Sequence, residues 1–194
     1  MPENSAYYQP ELTLPDLLKR AAADPAPLYT GYMDEKGEID RQTYAELLNE
    51  ATSLACGLQA LGMLSGDKAI IATRQNRETI TLLWACFLAG VVPTVLQPPL
   101  TFSGYNPAVE KLKNVYRQFG EPYIFFSEEM AETDGLPDEK VKHVNDLDCS
   151  GNFEAPYLQP GDLAFVQFSS GSTGDPKGIM LTHHNLMVNM DAIR

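Results

Sequence analysis

The chain has 194 residues, of which 44% are hydrophobic, with 14 basic and 26 acidic side chains and a formal net charge of -12. This length and apolar content suffice for one sizeable core or two small ones. The acidic balance argues against nucleic acid as a partner. No apolar run is long enough to predict a membrane span, and the N-terminus lacks a basic region followed by an apolar one, so the sequence predicts a soluble, unexported protein.

The cysteines Cys56, Cys86 and Cys149 are far apart in the sequence and lack metal-ligand spacing. Cys56 and Cys86 fall inside apolar helical patterns, so we predict buried free thiols. Free thiols fit a reducing compartment, and we therefore expect a cytoplasmic location. The sequence assigns no metal ligand.

Hydrophobic periodicity and turn residues divide residues 1–126 into helices and strands. The predicted elements are helix 12–23, strand 28–33 and its return 38–41, helix 44–61, strand 69–73, helix 77–89, strand 91–96, helix 107–119 and strand 123–126. Thr43 and Glu46 have the spacing of a capping box at the start of the second helix. Asn76 is predicted to be the N-cap of the third.

Short apolar strands that alternate with helices predict parallel pairing through βαβ crossovers. The expected fold class is α/β, with a doubly wound, mainly parallel sheet and helices on both faces. The chain divides into 1–42, an N-terminal helix and hairpin; 43–126, the βαβ core; 127–160, an acidic connection; and 161–194, a glycine-rich loop and the following helix. In the acidic connection, His143 is predicted to be a surface residue rather than a base or a ligand.

The strongest functional signal is a compact loop, Ser-Ser-Gly-Ser-Thr-Gly-Asp-Pro-Lys-Gly at 169–178, between two apolar runs that indicate strands. Its glycines allow successive backbone N–H groups to turn inward as an anion-binding nest. Its hydroxyls add donors, and Lys177 supplies a mobile positive charge. The candidate phosphate-binding residues are Ser169, Ser170, Gly171, Ser172, Thr173, Gly174 and Lys177.

A loop of this composition could instead be a flexible connection. It is not a Walker A motif, because Pro176 precedes Lys177 and Gly178 follows it. The Pro-Lys-Gly exit between two apolar runs favours a strand-loop-strand cradle for a polyanion. Since ligands of doubly wound sheets gather at the carboxyl ends of the strands, we expect Phe168 to lead the loop there.

A final helix is predicted after the N-cap candidate Thr182. Its apolar stripe comprises Leu186, Met187, Met190 and Ile193. His183 and His184, in its first turn, could polarise a bound nucleotide or substrate, or could serve in packing or capping. Both alternatives remain open from the sequence.

The loop at 168–178 resembles the phosphate-loop motif of the adenylate-forming superfamily, which includes acyl-CoA synthetases, fatty acyl-AMP ligases and adenylation domains of nonribosomal peptide synthetases. Ser169 stands where that family more often has Thr, and the hydroxyl is kept. Residues 43–47 and 84–93 resemble the family's first and second core motifs, in the family's order. Val-Leu-Gln-Pro-Pro at 95–99 departs from amino-acid-activating domains and resembles fatty acyl-AMP ligases and the loading domains of mixed polyketide/peptide synthases.

The resemblance implies a two-step reaction. A substrate carboxylate attacks the α-phosphorus of ATP with Mg²⁺ assisting, which gives an acyl-adenylate and pyrophosphate. The acyl group then passes to a thiol of coenzyme A or of carrier-protein phosphopantetheine. Ser169 to Lys177 would hold the β- and γ-phosphates, with Thr173 and Lys177 foremost. The family's magnesium-binding motif, ribose-binding Asp and catalytic Lys come later in its order, so no residue of this chain is assigned as catalytic.

By this resemblance the chain is the N-terminal portion of an AMP-binding adenylation domain, which we expect to be inactive alone and to bind ATP weakly at best. Its expected partners are the acid substrate, the thiol acceptor, the remaining domains of the parent chain and, through an unpaired sheet edge, a second copy. Two other classes stay open. One is a stand-alone phosphate- or nucleotide-binding module, and the other is a non-catalytic structural or interaction piece of a megasynthase.

Overall fold

The computed structural model describes residues 9, 11–26, 28–34, 36–99, 101–102, 106–127, 133, 135–169 and 176–193. In chain order the elements are α1 (Leu14–Ala22), β1 (Tyr29–Met33), β2 (Ile39–Thr43), α2 (Tyr44–Ala60), β3 (Lys68–Ala72), α3 (Asn76–Ala89), β4 (Val92–Val95), α4 (Pro107–Gln118), β5 (Tyr123–Phe126), β6 (Val141–His143), β7 (Leu163–Ser169), β8 (Lys177–Thr182) and α5 (His183–Ala192). Among these helices, none has both the length and the apolar content needed to cross a bilayer.

The central sheet has four strands in the order β4-β3-β5-β6, and all of its neighbouring pairs are parallel. The chain leaves β3 through α3 to reach β4 on one side, then returns through α4 to β5 on the other side of β3. The strand order therefore reverses at β3, as in a doubly wound sheet.

Both faces of this sheet are covered, because successive side chains of a strand point to opposite faces. Ala69, Ile71 and Phe125 join a core formed with α2 and α3. Ile70 and Ile124 join a second core formed with α4. All five side chains are fully buried. The predicted α/β fold with helices on both faces is confirmed.

The hairpin of β1 and β2 is attached to α2 and α3 by polar contacts. Gln42 is fully buried; its Oε1 accepts from the Tyr32 hydroxyl at 2.7 Å and its Nε2 donates to Glu50 at 2.7 Å. Arg77 of α3 pairs with Asp40 at 2.8 Å and with Glu50 at 2.7 Å. Hydrogen bonds to these two carboxylates raise the pKa of the Arg77 guanidinium above its usual range. The hairpin is thus held to the βαβ core by the buried Gln42 and by more exposed ion pairs of Arg77.

Of the two predicted helix N-caps before α2 and α3, one is confirmed and the other is wrong. Thr43 and Glu46 form the predicted capping box of α2. The prediction for Asn76 is wrong, because Asn76 is the first residue of α3 and Gln75 takes the N-cap position. The Gln75 carbonyl accepts the first helical hydrogen bond, from the Thr79 N–H at 2.9 Å, so the helix starts one residue earlier than expected.

All three cysteines are free thiols, and Cys56 and Cys86 are buried as predicted. Burial raises the pKa of the Cys86 thiol. Cys149 is half-buried and its thiol donates to the Leu147 carbonyl at 3.2 Å. A buried, protonated thiol such as Cys86 is chemically inert and serves as a small apolar side chain.

Candidate phosphate-binding site

The strands β7 and β8 flank the glycine-rich loop and pair in antiparallel orientation. Phe168 stands opposite Gly178, and Ser169 stands opposite Lys177. The Ser169 hydroxyl donates a long hydrogen bond of 3.5 Å to the Lys177 carbonyl oxygen. A hydroxyl-bearing and an ammonium-bearing residue therefore lie side by side where the two strands meet the loop.

Ser169 and Lys177 are the predicted phosphate-binding residues that the structure describes, and both are exposed. Ser170, Gly171, Ser172, Thr173 and Gly174 lie outside the described residues, and their role stays a prediction. Exposure at the loop end of the hairpin leaves both described residues accessible to a ligand from solvent.

Gly178, at the exit of the loop, is explained by close packing. A Cβ built at this position would lie 3.1 Å from Val166 Cγ1 and 3.2 Å from Phe168 Cε1. Both distances are shorter than ordinary van der Waals contacts, so the ring of Phe168 occupies the space that a side chain would need. The sequence interpretation had assigned this glycine to an anion-binding nest, whereas it lies within β8.

The hairpin meets the rest of the domain at an unexpected place. The rings of Phe168 and Phe119 pack edge to face, with centroids 5.6 Å apart and planes at 84°. Phe119 follows α4, and the ammonium of Lys68, the first residue of β3, lies 5.2 Å from its ring centroid. Phe168 thus lies near the amino ends of the parallel strands, and the expectation that it reaches their carboxyl ends is wrong. The carboxyl-end rule applies to strands of the parallel sheet, while β7 pairs only with β8 among the described strands.

A cavity of about 340 Å³ lies at the same amino ends of the parallel sheet. Its lining residues are Leu61, Gly62, Met63, Gly66, Asp67, Lys68, Phe119, Gly120, Glu121, Pro122, Tyr123 and Lys140. The Lys140 ammonium lies 4.8 Å from the Tyr123 ring centroid. The sequence does not indicate this cavity, because its walls come from three separate connections that meet only in the folded chain.

A second cavity, of about 420 Å³, lies near the carboxyl end of β3. It is lined by Glu50, Ser53, Leu54, Gln75, Arg77, Glu78, Thr81, Val144 and Asn145. At its edge the Ser127 hydroxyl donates to Glu78 and accepts from the Arg74 N–H, the latter at 2.8 Å. These bonds tie the loops after β3 and β5 to each other.

The structure favours the packing alternative for His183. This residue is 1% exposed, and its Nδ1 accepts a hydrogen bond from the Leu14 N–H at 3.3 Å. Burial lowers the pKa of His183, against smaller opposing effects of Asp162 and Asp16. A neutral, enclosed imidazole joins α5 to α1 and is not presented to a ligand.

The other two histidines have different surroundings. The His184 backbone N–H donates to the Pro160 carbonyl at 2.8 Å, and a role for its side chain in ligand binding stays a prediction. His143 is half-buried on β6, and its Nδ1 is enclosed with no hydrogen-bond partner among the described residues. His143 is therefore less exposed than predicted.

An α/β domain with a glycine-rich hairpin carrying hydroxyl and ammonium groups is typical of proteins that bind phosphorylated ligands. Residues 19–194 match the family described as AMP-binding enzyme. The chain belongs to this family, and its resemblance to the adenylate-forming superfamily is confirmed.

Individual relatives extend this result. A feruloyl-CoA synthase of an Amycolatopsis species is 35% identical over 152 residues, which cover 76% of this chain and 29% of that protein. The medium-chain-fatty-acid acyl-carrier-protein ligase JamA of Moorena producens is 27% identical over 180 residues, covering 86% and 30%. The structure of McyG A-PCP complexed with phenylalanyl-adenylate has a TM-score of 0.84 at 32% identity, covering 94% of this chain and 30% of that one. The chain spans about 30% of the length of these relatives.

Proposed function

We propose that the chain is the N-terminal part of an adenylation domain which, in a longer parent protein, activates a carboxylic acid with ATP. The observation that carries this proposal is the placement of Ser169 beside Lys177 at the loop end of the β7–β8 hairpin, in a chain of the AMP-binding family. Hydroxyl donors and a mobile ammonium suit the oxygens of a phosphate chain.

In the proposed reaction the substrate carboxylate attacks the α-phosphorus of ATP, a P–O bond breaks, and pyrophosphate leaves. Ser169 and Lys177 bind the β- and γ-phosphates, so the charge that develops on the leaving group is neutralised where it forms. Ser170, Gly171, Ser172, Thr173 and Gly174 complete the proposed cradle. Bound Mg²⁺ would screen the phosphate charges. Neither Ser169 nor Lys177 carries a carboxylate, so the carboxylate ligands of Mg²⁺ would come from other parts of the parent protein.

The proposed substrate is a carboxylic acid other than an amino acid, since Val-Leu-Gln-Pro-Pro at 95–99 resembles fatty acyl-AMP ligases and departs from amino-acid-activating domains. The acyl group would pass to a thiol of coenzyme A or of a carrier protein's phosphopantetheine. The names of two relatives support this pair of acceptors, because one is a CoA synthase and the other an acyl-carrier-protein ligase. The proposed location is the cytoplasm.

Acid-dependent ATP/pyrophosphate exchange tests this function. We expect no exchange by the 194-residue chain and exchange by the longer parent protein. In the parent, Lys177→Ala should lower the exchange rate about 10²-fold or more, because a charge-stabilising donor is lost. Lys111→Ala, on an exposed position of α4, is the matched control and should exchange normally. Exchange by the short chain, or an unaffected Lys177→Ala parent, would contradict the proposal.

An uncovered apolar face supports a second proposal, that two copies of this chain associate through β8. The exposed apolar residues are Ile179 and Met180 of β8, Val188 and Met190 of α5, and Ile193, which follows α5. Among the described strands, β8 is paired only with β7, so its outer edge carries free backbone donors and acceptors. Antiparallel pairing of two β8 strands would satisfy these groups and bury the exposed side chains.

A further inference from the structure

We propose that Phe119 is a positioning residue for the phosphate-binding hairpin, which it holds in place through Phe168. This inference rests on the function proposed above for Ser169 and Lys177. In the sequence, Phe119 is one of several apolar residues in the stripe of α4, and nothing there separates it from the others. Its importance follows from what its ring touches.

The first contact fixes Phe168 on the hairpin itself. Phe168 is the cross-strand partner of Gly178, and its Cε1 and Cζ atoms lie 3.2 and 3.3 Å from a Cβ built there. An aromatic ring that lies over a cross-strand glycine fills the space left by the missing side chain and pins the register of the pair. Ser169 and Lys177 form the next pair, so the orientation of Phe168 is coupled directly to the site.

The second contact fixes Phe168 on the domain. Phe119 is 4% exposed and belongs to the core formed with α4, so its ring has little freedom. The ammonium of Lys68 lies 5.2 Å from this ring, which adds a cation–π contact. The edge-to-face contact of 5.6 Å then joins the immobile ring of Phe119 to the ring of Phe168.

The arrangement of the sheets makes this contact important. The β7–β8 pair is a sheet of its own, and β7 packs against β4 without ladder hydrogen bonds to it. The position of the hairpin relative to the domain therefore depends on side chains. Three β7 side chains contact the core with α4, namely Leu163, Val166 and Phe168. Phe168 is the one next to Ser169 in the chain.

The test compares Phe119→Leu with Phe102→Leu in the 194-residue chain. Phe102 is a matched control because it lies in the same core and makes an edge-to-face pair with Phe126 instead of with β7. Hydrogen exchange of the amides in 166–169 and 177–180 should be roughly three- to tenfold faster in Phe119→Leu than in Phe102→Leu. Pyrophosphate affinity, measured by NMR titration, should fall by a similar factor. Phe119→Tyr, which keeps the ring, should restore both values.

Equal exchange rates in the Phe119→Leu and Phe102→Leu chains would overturn the inference. If Phe119→Leu does not fold, Phe168→Leu makes the same test from the half-buried side of the contact. In a double-mutant cycle, the effects of Phe119→Leu and Phe168→Leu should sum to more than the effect of the double variant, since both remove their shared ring contact and only Phe168→Leu also removes the ring over Gly178. If exchange accelerates as expected but the unsubstituted chain binds no pyrophosphate, Phe119 still positions the hairpin, and the phosphate-binding role proposed for Ser169 and Lys177 in this chain fails instead.

Discussion

Two residues in or near the loop, Gly178 and His183, contribute to the structure by packing and are not assigned to ligand binding in the proposed site. Gly178 lies under the ring of Phe168, and His183 is enclosed between α1 and α5. The sequence shows that a glycine follows Lys177 and that a histidine starts the last helix, and both residue types suggest ligand binding. Their contacts instead assign them to the fold, which a motif alone cannot reveal because the partner residues are distant in sequence.

Gly178→Ala should weaken the hairpin. The new methyl group would be 3.1 Å from Val166 and 3.2 Å from Phe168, so one of these side chains must move. We expect a loss of about 1–3 kcal/mol in the free energy of unfolding, as is usual for overpacking, together with weaker pyrophosphate binding. Gly161→Ala is the control, because a Cβ there meets no atom within 4 Å. Equal urea midpoints for the two variants would contradict this explanation of Gly178.

His183 should make stability depend on pH. Burial lowers the pKa of His183 in the folded state, while the pKa of a histidine in the unfolded chain is about 6.5. Below that pH the unfolded state binds a proton that the folded state does not, so the free energy of unfolding falls as pH drops from about 6.5 toward the folded-state pKa. Urea unfolding at several pH values should show this loss in the unsubstituted chain. His183→Asn, which keeps a polar group near Leu14, should flatten the curve in this window; an unchanged slope would assign the dependence to other groups.

At the scale of elements, the sequence predicts the helices and strands well because their signals are local. Periodic apolar residues, prolines, glycines and the Thr43 capping box define them to within a few residues. The location of the β7–β8 hairpin was not predictable in this way. Its position depends on the contact between Phe168 and Phe119 and on the absence of ladder bonds between β7 and the parallel sheet within the described residues. Both are tertiary features that no short pattern encodes.

The attachment of the β1–β2 hairpin to α2 and α3 should depend on Gln42. Gln42→Ala removes the acceptor for the Tyr32 hydroxyl and the donor to Glu50 and Thr81, so each of these partly enclosed groups loses one hydrogen bond, while Glu50 keeps its pair with Arg77. We expect a loss of about 1–3 kcal/mol in the free energy of unfolding. Gln118→Ala, at an exposed position at the end of α4, should change it by less than about 0.5 kcal/mol. Similar urea midpoints for both variants would show that the polar network does not hold the hairpin.

For the whole molecule, the family is established more firmly than the activity. Residues 19–194 belong to the AMP-binding family, yet the chain spans about 30% of its relatives' length. The motifs at 43–47, 84–93 and 168–178 predicted the family, because each is a continuous run of residues that can be recognised in the sequence without knowledge of the fold. The complete phosphate cradle is still a prediction, because five of its proposed residues, Ser170, Gly171, Ser172, Thr173 and Gly174, lie outside the described part of the chain.

The exposed face of β8 and α5 should govern association. We expect sedimentation velocity to show a concentration-dependent dimer, which Met180→Lys converts to monomer by placing a charge on the edge strand. Leu64→Lys is the control, because Leu64 and Met180 are each 71% exposed and Leu64 belongs to the connection between α2 and β3. A monomer at millimolar concentration, or a dimer that Met180→Lys leaves intact, would contradict pairing through β8.

The most direct test of the central claim, that the β7–β8 hairpin binds a phosphate chain, is an NMR titration of the chain with pyrophosphate. We expect saturable shifts at the amides of Ser169, Lys177 and Gly178, lost in Lys177→Ala and kept in Lys111→Ala. No response at these amides, or shifts only around Lys68 and Lys140 in the cavity at the amino ends of the parallel strands, would show that the hairpin does not bind a phosphate chain.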